Sequence, residues 1–323
     1  MIKTNPTQNL NVNFETYVKE RQKQSNAHMD AGIPDYAYAS DYIIRQKIKS
    51  MPGVYPFFKA VTSQLVPVMK QQTNLAALKV GPNQFPEIYK MTEECARLLG
   101  IGVPTVFIQP NLGEFNAYSI AFDDESPAII LNSSVVERLT SDELKTIIGH
   151  ECGHIHNNHG IFNTAASIIL GTAIGSIPLS QQIIQLLSTP LRLMFSAWSR
   201  AAEVTCDRAG IICANNPEDI VNAFAKMLSG AVLTKNEVNI EAVMKQYDML
   251  RATPVRLLEL EYSHPTTVRR IFAVKEFMNS DVLYRWRPEW KEPGKKLFTK
   301  QELDARCEKF INVIDSKKGR ADK

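Results

Sequence analysis

Apolar residues recur every three or four positions along most of the chain, and short β-type runs interrupt this helical spacing before Thr140. Asp41–Ser50 and Val54–Lys70 read as helices, punctuated by Pro34, Pro52 and Pro56. Leu75–Val80 is a candidate strand, closed by the turn Gly81-Pro82-Asn83. Phe85–Leu99 carries Ile88, Met91, Cys95 and Leu98-Leu99 at helical spacing and stops at Gly100. Three β-type runs follow, Thr105–Gln109, Ala117–Phe122 and Ala128–Leu131, separated by turn-rich segments.

At Thr140 the pattern becomes helical again. Thr140 is placed as N-cap, Glu143 completes a capping box, and Leu139 and Leu144 are spaced for a hydrophobic staple. Leu144, Ile148, Cys152 and Ile155 form the stripe that should face the core. Gly149 and Gly153, four apart, predict close approach of a neighbouring element. Further helices are expected over Arg192–Ala214, from Asn216-Pro217-Glu218-Asp219 to Gly230, and over Ile240–Arg251, Thr266–Asn279 and Thr299–Val313. Arg285–Lys295, with Trp286, Trp290 and two prolines, reads as an extended wrap. The expected class is α+β and mainly helical, with a small antiparallel sheet against the Thr140 helix. The expected divisions are an N-terminal helical extension (residues 1–83), a central unit (84–279), and a C-terminal wrap and tail (280–323).

Composition narrows the class without changing it. At 323 residues, 44% hydrophobic and 22% charged, the chain is an ordinary globular protein. A net charge of +3, with no basic block interleaved with aromatics, argues against a nucleic-acid partner. Five scattered cysteines without a C-x-x-C pair argue against a disulfide framework and suit a reducing compartment. The N-terminal residues lack the apolar core of a secretory leader, so a cytoplasmic location is expected.

Residues 161–191 carry no charge. Ile161–Ile177 is at the low limit for a membrane span and is interrupted by Asn163, Thr164, Ser167, Thr172 and Ser176. A second crossing would have to contain Gln181, Gln182, Gln185, Pro190 and Arg192. The segment therefore reads as a helical hairpin, with peripheral membrane contact as the alternative. Nothing in the sequence speaks to the oligomeric state.

The chemistry concentrates at His150-Glu151-Cys152-Gly153-His154. Residues four apart share a helix face, so two imidazoles can meet one ion while Glu151 lies beside it, which is the pattern of a zinc hydrolase. A catalytic zinc needs a third ligand. The pattern H-E-x-x-H-x-x-G-x-x-H fails, because Asn157 and Gly160 stand where Gly and His are required. His156 and His159 are then read as surface histidines. Glu203 and Asp207, four apart in Ser199–Ala209, offer a carboxylate ligand and a carboxylate to accept the other N–H of a ligating histidine. His264, in Ser263-His264-Pro265, is the third option.

His150–His154, the later Ser199–Gly210 segment (SRAAEVTCDRAG) and the short His264-Pro265 segment together resemble the zinc metallopeptidases that include HtpX, the type I CAAX prenyl proteases and their soluble bacterial relatives, family forty-eight of the metallopeptidases. Asn116-Ala117-Tyr118 resembles that family's N-A-F/Y strand. The likeness runs from about Phe85 to Phe277. It implies a zincin-like, gluzincin-type fold with His150, His154 and Glu203 on one Zn2+ per chain, Glu151 as catalytic base and Asp207 behind a ligand. It also implies a substrate backbone adding to the strand edge at Asn116, Ala117 and Tyr118. His264 would meet the developing oxyanion, or sit on the zinc when the site is closed. The implied function is an endopeptidase acting on polypeptides, with a place in protein quality control. The alternative is a non-catalytic, chaperone-like binding protein with a closed zinc site.

Overall fold

The computed structural model describes residues 28–30, 32–122, 125–169, 189–230, 238–251, 259–260 and 264–313. A small hairpin, β1 (Met29–Asp30) with β2 (Ile33–Pro34), leads into α1 (Ala39–Ser50) and α2 (Val54–Ala76). The main sheet comprises β3 (Leu78–Lys79), β4 (Thr105–Gln109), β5 (Ala117–Phe122) and β6 (Glu125–Asn132), with α3 (Pro86–Leu99) between β3 and β4. Helices follow: α4 (Ser133–Arg138), α5 (Ser141–His156), α6 (Gly160–Ile169), α7 (Thr189–Cys213), α8 (Asp219–Ser229), α9 (Ile240–Arg251), α10 (Thr267–Phe277), α11 (Asp281–Trp286) and α12 (Lys300–Ile311). The mainly helical α+β class is as expected.

The strand order is β3-β4-β6-β5. Both outer pairings are antiparallel. The central pair, β4 with β6, is parallel, from Thr105 opposite Ala128 to Gln109 opposite Asn132. The cause is the β5–β6 hairpin, which folds back so that β6 lies between its partner and β4. This leaves β5 as an edge strand.

Helix α5 forms as its sequence predicts. Glu143 N–H donates to the Thr140 hydroxyl at 3.3 Å, and Thr140 N–H donates to the Glu143 carboxylate at 2.8 Å. Leu144, Ile148, Cys152 and Ile155 are all buried in the main core. The neighbour that the two glycines anticipate is α7. A Cβ at Gly149 would lie 2.5 Å from Cys213 Cβ, and one at Gly153 would lie 2.7 Å from Ala209 Cβ. Gly210, on α7, would place a Cβ 2.8 Å from the Thr146 carbonyl. Glycine on both helices is what lets their backbones approach this closely, and the approach sets the distance between the side chains of the site.

Several boundaries differ from expectation. Helix α2 runs to Ala76, so the strand expected at Leu75–Val80 shrinks to Leu78–Lys79. Helix α4 is additional. Arg285–Lys295 is not extended: α11 is followed by a 3-10 turn at Pro288–Trp290. Arg287 lies 3.7 Å from the centre of the Trp290 ring and donates to the Ile212 and Ala214 carbonyls at 2.7 and 2.6 Å. The segment thus coils to satisfy the C-terminal end of α7. The expected helical hairpin begins as α6, and the rest of it, residues 170–188, lies outside the described residues. Among the described residues no helix is long and apolar enough to cross a membrane. All five cysteines are free and buried.

A second apolar cluster joins the N-terminal helices to α6 and α7. Ile48 of α1, Phe58 of α2, Phe162 of α6, and Phe195 and Trp198 of α7 share it. This brings α1 against α7, beside the C-terminal end of α5.

Candidate active site

His150 and His154 project from one face of α5 toward Glu203 on α7. His150 Nε2 lies 3.6 Å from Glu203 Oε2, and His154 Nε2 lies 3.5 Å from Glu203 Oε1. Donor atoms bound tetrahedrally to one zinc stand roughly 3.3–3.5 Å apart, and each histidine nitrogen lies close to that spacing from a Glu203 oxygen. All three are buried. Glu151 is buried beside them, and its Oε2 has no hydrogen-bond partner among the described residues. A buried carboxylate oxygen without a partner next to two converging imidazoles fits a site built for a metal and a reacting molecule.

Each imidazole is held from behind. His150 Nδ1 is 2.9 Å from Asp207 Oδ1. Asp207 accepts two bonds from Arg270 of α10, from Nε at 2.9 Å and Nη2 at 2.5 Å. Arg270 Nη1 also reaches Glu203 Oε2 at 3.2 Å. One buried guanidinium therefore serves both carboxylates. His154 Nδ1 is 3.0 Å from His159 Nδ1, and His159 Nε2 is 3.0 Å from Asp41 Oδ2 on α1.

These contacts correct the reading of His156 and His159 as surface residues. Both are buried, His159 completely. His156 Nδ1 is 3.0 Å from the Tyr36 hydroxyl, which also accepts from Asn157 Nδ2 at 3.0 Å. The Arg45 guanidinium donates to the Asn157 carbonyl. The physical reason is that the segment from Tyr36 to Arg45 covers the C-terminal end of α5. A helical wheel shows which face a residue lies on, not what covers that face. Arg270 and Asp41 were missed. A signal existed for Arg270, since two buried acids four apart need a compensating cation and Arg269-Arg270 follows the His-Pro segment closely. Asp41 had none beyond being an acid in the first turn of a predicted helix.

Burial and charge work against each other here. Burial alone would raise the Glu203 pKa, but His264, Arg270 and His150 outweigh it and hold the carboxyl well below its usual range. Burial would likewise raise Asp207, and Arg270 with His150 keeps it low. Burial pushes His159 down to about 4 despite the adjacent Asp41, so this imidazole is neutral. For His150, burial lowers the pKa, yet the carboxylates of Glu203 and Asp207 prevail and the net shift is upward. A metal must therefore displace a proton that His150 retains above the ordinary histidine value of about 6.5. Apparent metal affinity is expected to fall as pH is lowered, with the fall starting above that value. Chelator competition at a series of pH values between about 8 and 6 checks this, and an affinity constant over the series would contradict it.

Cys206 is a rival third donor, since its sulfur and one nitrogen of each of His150 and His154 lie within 4.8 Å of one another. Two observations favour Glu203. Cys206 Sγ is 3.7 Å from His159 Nδ1, which places it on the Nδ1 side of His154. Glu203 instead faces the Nε2 atoms of both His150 and His154, at 3.6 and 3.5 Å.

His264 stands at the rim, with Nε2 3.7 Å from Glu203 Oε1 and a side chain 63% exposed. Asn116 directly precedes β5, and Ala117 and Tyr118 lie on it. Asn116 donates to Glu114 at 3.1 Å and Tyr118 donates to Gln109 at 3.1 Å. At the other end of β5, Gly160 sits so close to the Ala121 carbonyl that a Cβ there would be 2.1 Å from it.

Residues 82–278 match the family model of Peptidase family M48. The chain belongs to peptidase family M48. It is similar to the "Plastoglobule-localized metallopeptidase 48, chloroplastic" of Arabidopsis thaliana, at 27% identity over 260 residues, covering 78% of this chain and 74% of the relative. It is also similar to proteins named "Protease HtpX homolog". The one from Bifidobacterium longum is 23% identical over 231 residues, covering 64% of this chain and 75% of its own. The one from Gemmatimonas aurantiaca is 26% identical over 217 residues, covering 61% and 77%. This M48 protein is a metal-dependent protease. Every site residue described above lies within the matched segment except those on α1 and the segment before it.

Proposed function

We propose that this M48 peptidase is a zinc endopeptidase holding one Zn2+ per chain on His150, His154 and Glu203. The observation that carries this is the convergence of two Nε2 atoms on the Glu203 carboxylate, with an unpartnered oxygen of Glu151 alongside. When bound, zinc supplies Lewis-acid polarisation of the scissile carbonyl and lowers the pKa of water. Glu151 takes a proton from the attacking water at Oε2 and passes it to the leaving amine. Asp207 accepts the Nδ1–H of His150 and so keeps the Nε2 lone pair free for the ion.

Substrate enters as an extended polypeptide that adds to the outer edge of β5 at Asn116, Ala117 and Tyr118, since β5 ends the sheet on the side of α5. Such recognition is by backbone, which suits unfolded chains and a role in protein quality control. His264 meets the developing oxyanion from the rim, and its exposure favours this role over that of a permanent ligand in a closed, non-catalytic site. We read residues 84–279 as the peptidase unit. The location is cytoplasmic, with peripheral membrane contact as the alternative, in keeping with a relative named for plastoglobules.

The test is cleavage of an unfolded protein by the purified chain, with chelator and after re-addition of zinc. Cleavage should stop with chelator and return with zinc. Undiminished cleavage in chelator would refute the metal assignment. Tight zinc binding without cleavage would favour the binding-protein alternative.

A further inference from the structure

His154 and its partners form a chain of contacts that ends on a different part of the protein from the rest of the site. His150 meets a carboxylate directly, through Asp207. His154 meets one only through a second imidazole. Its Nδ1 lies 3.0 Å from His159 Nδ1, and the far nitrogen of His159 lies 3.0 Å from Asp41 Oδ2. The local chain is shaped for this. The His159 amide donates to the His154 carbonyl at 3.0 Å. Asn158 has a positive φ of 56°, a left-handed conformation that asparagine tolerates, which turns His159 back beneath His154.

We propose that Asp41 and His159 are positioning residues, a carboxylate–imidazole pair that fixes His154 in the tautomer presenting Nε2 to the metal. The proposal rests on the zinc reading given above and adds to it a role for α1. Hydrogen-bond direction carries the argument. A carboxylate only accepts, so His159 Nε2 bears the hydrogen facing Asp41. Asp41 also accepts from Trp198 Nε1 and the Thr205 hydroxyl, each at 2.9 Å, and Arg45 Nε stands 3.9 Å away. A hydrogen on Nε2 alone leaves the Nδ1 lone pair of His159 facing His154, and the 3.0 Å contact is then a hydrogen bond with the hydrogen on His154 Nδ1. That leaves the His154 lone pair on Nε2, which faces Glu203. The Asn163 side-chain amide stands 3.3 Å from His154 Nδ1, and this tautomer turns its oxygen rather than Nδ2 toward that hydrogen.

Each ligating imidazole is therefore oriented by a buried aspartate, one in direct contact and one relayed. The relayed aspartate lies forty-one residues before the start of the segment that matches the M48 family model, which begins at residue 82. Asp41 is fully buried and ties α1 to α7 as well as to the turn that follows the motif helix. On this view the N-terminal helix is a working part of the metal site.

The experiment pairs metal affinity with a tautomer measurement. Zinc affinity is measured by chelator competition for the parent, Asp41→Asn, His159→Gln and, as the direct-carboxylate control, Asp207→Asn. Loss of an orienting partner is expected to weaken zinc binding by about 10–100-fold in all three variants. Nitrogen-15 histidine NMR of the zinc-loaded parent needs no substitution and is expected to show the hydrogen on Nε2 in His159 and on Nδ1 in His154. Folded Asp41→Asn and His159→Gln proteins that bind zinc within twofold of the parent, beside a weakened Asp207→Asn, would overturn this inference and leave the zinc reading standing. So would a zinc-loaded parent in which His159 carries its hydrogen on Nδ1. A parent that binds no zinc would overturn both.

Discussion

Replacing Glu151 with glutamine is expected to leave metal binding at the parent level and to slow peptide hydrolysis by about 10²–10⁴-fold. The substitution keeps the volume of a buried side chain and removes only its capacity to take a proton. Glu151 is not among the side chains whose atoms converge as donors, so the metal should not sense the change. Its Oε2 makes no hydrogen bond among the described residues that the substitution would break. The loss should therefore appear in kcat, with KM for an unfolded substrate little altered. Equal cleavage rates for the variant and the parent would remove Glu151 as the base. Loss of zinc together with activity would instead make it a structural element of the site.

The site was legible in the sequence to the extent that its spacing is local. His150, Glu151 and His154 lie within one turn or so of a helix whose N-cap and core stripe are written in adjacent residues. Glu203 and Asp207 are likewise four apart on a second helix. Gly149 and Gly153 even announced that a partner would pack closely, and α7 does so at Cys213 and Ala209. What the sequence withheld is contact between segments far apart in the chain. His159 reads as one residue out of a known ligand pattern, and its use depends on Asp41, 118 positions earlier. His156 reads as exposed because nothing in α5 says that Tyr36 covers it. The parallel pairing of β4 with β6 depends on where the β5–β6 hairpin inserts, which alternation within each strand does not encode. The coil at Trp286–Trp290 answers carbonyls at the end of α7, another partner remote in sequence.

Arg270 is the clearest case of a remote partner with a large effect. Its guanidinium binds Asp207 through two nitrogens and Glu203 through the third, and packs 4.6 Å from the centre of the Phe224 ring. Arg270→Met keeps much of the apolar bulk but leaves two buried carboxylates without their cation. Breaking a buried pair in this way costs about 3–5 kcal/mol, because the remaining charge cannot regain its hydration. The metal-free variant is expected to unfold at correspondingly lower urea concentration. Zinc should recover part of the loss, since it brings positive charge to Glu203, directly opposite one of the vacated contacts. Arg270→Lys should fall between the two, because an ammonium restores the charge but cannot span both acids with a planar fork. The pattern distinguishes electrostatic from packing roles. Loss of packing alone would destabilise the metal-free and zinc-loaded forms equally and would make lysine no better than methionine. A metal-free Arg270→Met protein as stable as the parent would show that Glu203 and Asp207 do not depend on this arginine.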